Sequence, residues 1–272
     1  MITQTLAVVR REWQVQRRYP ISMLNTVVFT PIYQLALPTL LLGSAFVVSG
    51  HSLGLAREAG TPDLAAWMTT GVLLASITVG AVTSVYNTLH ADRTTGVMEH
   101  SWSTPASRHT YVVGAVLTGT LFGGGAAVLI GAMALLLGAR FDPAGLLLSI
   151  PAMAVVVVGN CGFGYLVAAT LLLLRQASVL VEVTVMAAVL FSGVTFPLTL
   201  LPGATRWPTY VLPGTWGLDL TRVATLGTPP LLPLAVEITL LLVTSAVLAG
   251  VGYLTFSAAE RALARAGTLS QF

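Results

Sequence analysis

Between Tyr111 and Gly138 the chain runs for 28 residues, YVVGAVLTGTLFGGGAAVLIGAMALLLG, without one Asp, Glu, Lys or Arg. As a helix this stretch rises about 42 Å, more than the ~30 Å hydrocarbon core of a bilayer. A water-soluble fold would need a large apolar shell around it. The rest of the chain supplies no polar surface to enclose such a shell: only 8% of its 272 residues are charged, against about 25% in soluble domains. The mean hydropathy of +0.85 agrees. In lipid every backbone amide must find its partner within the segment, which selects helices. The sequence therefore specifies an all-α, polytopic integral membrane protein, a single transmembrane domain over residues 1–272.

Apolar periodicity predicts six transmembrane helices near residues 22–48, 64–89, 110–138, 144–174, 178–196 and 231–256. Pro31 and Pro38 predict a kink or break in the first. Thr69, Thr70, Ser76, Thr78, Thr83 and Ser84 give the second a hydroxyl-rich face, expected to point into the bundle or a polar path. In the third, Ala115, Gly119, Gly123, Ala127 and Gly131 recur at four-residue steps, a face on which another helix backbone packs closely. Asn160 in the fourth reads as an interhelical hydrogen bond. Residues 1–20 are too polar for a signal peptide. They read as an interfacial amphipathic helix, with Ile2, Leu6, Val9 and Trp13 on one face and Arg10, Arg11, Arg17 and Arg18 on others. Trp13, Arg10 and Arg17 are its expected membrane anchors.

All thirteen basic residues are Arg. A P-loop requires a Lys for the β/γ-phosphates, so the chain holds no such site. The pI near 9.4 reads as the positive-inside bias and not as nucleic-acid binding: no basic cluster carries interleaved aromatics. With the N-terminus inside, nine Arg fall on inner segments and four on outer ones, which predicts cytoplasmic termini. The lone Cys161 allows no intrachain disulfide.

Against this background His90–His109, HADRTTGVMEHSWSTPASRH, is a polar island with three of the four histidines. Read as a short cytoplasmic helix from Asp92 to Ser103, it brings Met98 and Trp102 together on one face, beside Val97 and Glu99. Pro105 stops the helix and Arg108 re-enters the membrane. A small apolar knob with a charged rim suits a protein partner. A plain solvated loop explains the charges but not the exposed Val97, Met98 and Trp102. A metal site from His90, Asp92, Glu99, His100 and His109 matches no zinc spacing, and an acid/base site lacks a nucleophile. On the other side, Ser192–Arg222 is apolar yet carries Pro197, Pro202, Pro208 and Pro213, so residues 192–226 read as short re-entrant helices before the last span. Trp207, Tyr210 and Trp216 are expected at the interface, and Asp219 with Arg222 as an i,i+3 pair.

RTTGVMEHSWSTPASR resembles the inner-loop signature of ABC-2 type exporter permeases, through Gly96, Val97, Glu99, Thr104, Pro105, Ser107 and Arg108. FSGVTFPLTLLP and LPGTWGLDLTR are similar to that family's Pro-rich outer segment, with daunorubicin-type drug exporter permeases nearest in this feature. The aromatic HSW at 100–102 departs from the aliphatic residues of many relatives. The resemblance implies a half-transporter in the bacterial plasma membrane. It pairs with a second permease, copy or paralogue, and is driven by two copies of a separate ATPase subunit that carry ATP and Mg2+. Gly96, Val97, Met98, Glu99, Trp102, Pro105 and Arg108 are the expected ATPase-coupling residues. This chain itself is expected to bind no cofactor or metal.

For cargo, the sequence favours a hydrophobic or amphipathic small molecule, a drug or natural product. The candidate path is the Thr/Ser face of the second span (Thr78, Thr83) and the fifth span with Glu182 and Phe191. Glu182 reads equally as a partner of Arg175. A cell-envelope glycolipid or polysaccharide is the alternative; its exporters are richer in path-lining aromatics than this chain, which is 8% aromatic. A channel or passive carrier would leave the island dispensable. An intramembrane enzyme is disfavoured, since no paired-Asp, Gly-x-Ser-x-Gly or His-Glu-x-x-His motif is present.

Overall fold

A computed structural model describes residues 2–18, 21, 24–29, 32, 58–96, 107–136, 138–174, 177–203 and 206–266. Among them there are eight helices: α1 (Ile2–Arg17), α2 (Leu64–Thr94), α3 (Arg108–Leu136), α4 (Pro143–Leu173), α5 (Ser178–Phe191), α6 (Trp207–Val211), α7 (Pro213–Leu226) and α8 (Leu234–Ala266). Four of these, α2, α3, α4 and α8, are long and apolar enough to cross a membrane. The all-α, polytopic expectation holds. Most of the first predicted span, 22–48, lies outside the described residues.

The fifth predicted span is shorter than expected: α5 has 14 residues, about 21 Å, less than a hydrocarbon core. It ends because Gly193 takes a left-handed φ of 76°, a conformation only glycine adopts freely, and Pro197 follows. Two helices are longer than their apolar runs. α2 continues to Thr94, so His90, Ala91, Asp92 and Arg93 are its last turns and not the start of a separate helix. α8 extends to Ala266. In both cases a charged residue in the overhang finds a partner, as described below.

α2 is the most enclosed helix and packs along α3. Gly80, Gly119 and Gly123 let the two backbones meet: a methyl group at Gly119 would collide with the Gly80 carbonyl, and one at Gly123 with the Ser76 carbonyl. Two of the five predicted ladder positions make this close approach, and Gly131 faces open space. α4 meets α8 in the same way through Gly162 and Gly252. Asp63 and Asp142 cap α2 and α4; the Ala66 amide donates to Asp63 at 2.9 Å and the Ala144 and Gly145 amides donate to Asp142 at 3.1 and 3.2 Å. An N-cap carboxylate satisfies amides that a helix start leaves free. α6 and α7 fold back over this end, with α7 packed on α4, α8 and α2. Trp216 is thereby buried at 1% exposure, which corrects its expected place at the interface. Pro213 starts α7 so that Trp216 faces the bundle, and its indole N–H finds the Tyr210 carbonyl at 3.2 Å. Trp207 and Tyr210 are exposed.

Candidate functional site

The molecule has two polar ends and a cavity between them. At one end, α2 finishes and α3 begins on either side of residues 97–106. Val97, Met98, Glu99, Trp102 and Pro105 lie outside the described residues. Gly96 closes α2 with φ 72° and is exposed; Arg108 opens α3.

The charges flanking this loop are each tied to another helix. Asp92 accepts from Arg11 Nη1 and Nη2 at 3.1 and 2.5 Å and from the Tyr111 hydroxyl, joining α1, α2 and α3. Arg11 also donates to the Tyr111 hydroxyl at 3.2 Å. The bond to Asp92 holds the Arg11 guanidinium protonated well above its ordinary value. Next to it, buried Glu12 accepts from Thr88 Oγ1 at 3.0 Å. Burial raises the Glu12 carboxyl above the usual carboxylate value, with the Thr88 bond opposing. Arg93 donates to the Leu171 and Leu174 carbonyls at 2.9 and 3.2 Å, at the end of α4. Arg108 pairs with Glu260 of α8 at 2.6 Å. His90 lies on the Tyr86 ring and His109 among Tyr165, Tyr253 and Phe256.

α1 therefore uses two faces. Val8 packs at Gly114 of α3, in line with the buried Glu12, while Leu6, Trp13 and Val15 remain exposed. Arg10 and Arg17 are exposed, and Trp13 stacks on Phe122 with ring centroids 5.4 Å apart. Sequence periodicity set Leu6 and Trp13 on one face, and both are exposed. It missed Glu12, Asp92, Tyr111 and Glu260 as partners, although a carboxylate within an amphipathic or apolar helix is itself a signal that something must pair with it.

The cavity, about 830 Å³, lies between α2 and α5. Met68, Val72, Val79, Val181, Val185, Met186 and Val194 make its apolar wall, and Thr83, Asn87, Ser178 and Glu182 its polar points. Of the four path residues proposed from sequence, Thr83 and Glu182 line it. Thr78 and Phe191 do not. Thr78 faces α4 and accepts from Asn160 Nδ2 at 3.4 Å, the interhelical bond expected of that Asn. Phe191 sits at the end of α5, where its carbonyl accepts from Thr215 Oγ1 at 3.3 Å. Glu182 is exposed and has no ion-pair partner among the described residues; Arg175 lies outside them.

At the Pro-rich end the predicted Asp219–Arg222 pair does not form. Asp219 instead accepts from the Leu231 amide at 3.0 Å. Arg222 is turned inward, with Cζ 3.6 Å from the Trp67 ring centroid, and is buried at 7% exposure. Its guanidinium meets carbonyls and a hydroxyl instead of a carboxylate. The i,i+3 spacing allowed the ion pair; the free carbonyls after α5 outcompeted it, a fact invisible without the fold.

Four long apolar helices, with paired charges at one end and folded-back short helices at the other, make the fold of a polytopic membrane protein. The sequence profile of the ABC-2 type transporter family matches residues 3–226. The chain belongs to that family, and it is the permease subunit of an ABC transporter, a multi-pass membrane protein. In this family the permease is the transmembrane component and the ATPase is a separate partner subunit. No curated protein matches the chain.

Proposed function

We propose that this permease exports a hydrophobic or amphipathic small molecule, a drug or natural product, across the bacterial plasma membrane. The observation that carries this reading is the cavity between α2 and α5. Its size and its apolar wall with a few polar points match sites that hold drug-sized amphiphiles. Tyr86 is its one aromatic lining residue among the described residues, which speaks for such a cargo over a glycolipid or polysaccharide stacked along sugar-binding rings.

In this reading both termini and the 97–106 loop face the cytoplasm. Trp13, Arg10 and Arg17 hold α1 at the inner interface, and residues 192–226 are the outer, re-entrant segment. Two permease subunits, copies or paralogues, form the pathway. Two ATPase subunits grip the loop through Gly96, Val97, Met98, Glu99, Trp102, Pro105 and Arg108, and bind all the ATP and Mg2+. Movement of the loop is passed on through Asp92, Arg93 and Arg108, which reach four other helices.

The test is transport in proteoliposomes containing permease and ATPase. Val185→Trp fills the cavity and is expected to cut ATP-driven efflux of amphipathic dyes at least ~10-fold, while ATP hydrolysis and assembly persist; tenfold is the effect of about 1.4 kcal/mol of lost binding. Undiminished dye efflux in a folded Val185→Trp protein would remove the cavity from the path.

A further inference from the structure

Arg222 is a buried cation without a buried anion. Nη1 donates to the Gly193 carbonyl at 2.9 Å, Nη2 to the carbonyls of Trp67 and Val194 at 3.4 Å each, and Nε to Thr70 Oγ1 at 3.2 Å. The face of the guanidinium lies on the Trp67 ring, a cation–π contact. Among the described residues no carboxylate oxygen lies within ion-pair distance of it. The two nearby acids are occupied elsewhere: Asp219 with the Leu231 amide and Glu58 with Thr199 Oγ1 at 3.2 Å.

What Arg222 holds is specific. Gly193 and Val194 form the turn just beyond α5, where a helix end leaves carbonyls unsatisfied. Trp67 and Thr70 belong to the first turns of α2. One side chain of α7 thus pins the end of α5 against the start of α2, the two helices that wall the cavity. Val194 lines that cavity on one side. On the other side Arg222 itself, with Trp67, Ser192, Asp219 and Glu58, lines a second, small cavity of about 60 Å³. Within the pinned segment, Val194 and Thr195 face the larger cavity and Ser192 the smaller one.

Resting on the exporter reading, the geometry points to Arg222 as the latch of the outer exit: a positioning residue that keeps the Gly193–Val194 turn closed over the cavity and releases it during export. Guanidinium-to-carbonyl bonds hold the closed state. In the open state the same group turns to Asp219, one helical turn back on α7, at the spacing that permits an ion pair. Two alternative sets of partners for one charge make a bistable element.

The experiment reads accessibility and needs neither ATP nor ATPase. In a Cys161→Ala background, Val79→Cys places a thiol on the wall of the larger cavity, and a membrane-impermeant maleimide is added from outside to the full-length permease in proteoliposomes. With Arg222 present, labelling is slow. Arg222→Gln is expected to speed it at least ~10-fold, equivalent to shifting the closed–open balance by about 1.4 kcal/mol. Arg222→Lys, which keeps the charge but cannot span the separated carbonyls, is expected to fall between. Thr70→Val removes one acceptor at nearly constant shape and is expected to give a smaller increase in the same direction, which serves if Arg222→Gln does not fold. Unchanged labelling in a folded Arg222→Gln protein, or in Thr70→Val where the former is lost, overturns the latch. Loss of the exporter reading has a different signature: wild-type permease with its ATPase would fail to move amphipathic dyes whatever the labelling rates.

Discussion

The two ends of the bundle treat arginine in opposite ways. At the loop end Arg11 meets Asp92 and Arg108 meets Glu260; these cations remain partly exposed. At the Pro-rich end Arg222 is buried and meets dipoles and a ring. Pulling Arg11 from Asp92 strands the buried Asp92 carboxylate; the Arg108–Glu260 pair, about a quarter exposed on both sides, adds less. A cation held by carbonyls and a ring can change partners without stranding a counter-charge. Under the exporter reading proposed above, the loop end passes on movement through its ion pairs and the Pro-rich end yields to it.

The strongest blow to this contrast is Asp92→Ala. It leaves Arg11 and Tyr111 without their shared acceptor and is expected to cost ~1–3 kcal/mol. The check is thermal unfolding in detergent, together with faster proteolysis within residues 2–18 as α1 undocks. A stable Asp92→Ala protein with α1 still protected would show that the loop end yields as readily as the other. A smaller effect comes from a double-mutant cycle on Arg108→Ala and Glu260→Ala. With both side chains about a quarter exposed, the coupling is expected to be ~0.5–1 kcal/mol. A coupling of zero would remove α8 from the set of helices tied to the loop.

The smallest is a slope with pH. Burial puts the folded Glu12 carboxyl above its unfolded value, with Thr88 and Arg11 opposing and Asp92 assisting. A carboxyl raised on folding stabilises most below its unfolded pKa, and that contribution is lost as pH rises through the folded value. Amide-exchange protection of α1 is therefore expected to fall as pH rises across the carboxylate range, and Glu12→Gln to flatten the slope. An identical slope in Glu12→Gln would assign it to another group.

Much of this architecture was legible in the chain itself. Four helices lie where 20-residue apolar runs placed them, because in lipid an apolar run has no alternative to helix. The Gly119–Gly123 face was readable because small residues at that spacing have few uses besides close packing. Less legible were features that depend on which of several partners wins. Trp216 looks interfacial from its neighbours and is buried. Asp219 and Arg222 look paired and are not. α5 stops at Phe191 within a run that hydropathy carried to residue 196, because a positive φ at Gly193 leaves no trace in an apolar average.

By itself, then, the sequence determined that this chain crosses a membrane as helices, that it carries no Lys for a nucleotide loop, and that its polar loop stands apart from everything around it. Those properties follow from composition and period, which each segment holds alone. The tertiary structure decided where the charges go: Asp92 to α1 and α3, Arg108 to α8, Arg222 to the turn beyond α5. The reason is physical. Hydropathy is a sum over one segment, whereas a buried charge is settled by the nearest available dipole or counter-charge, and that neighbour comes from another part of the chain.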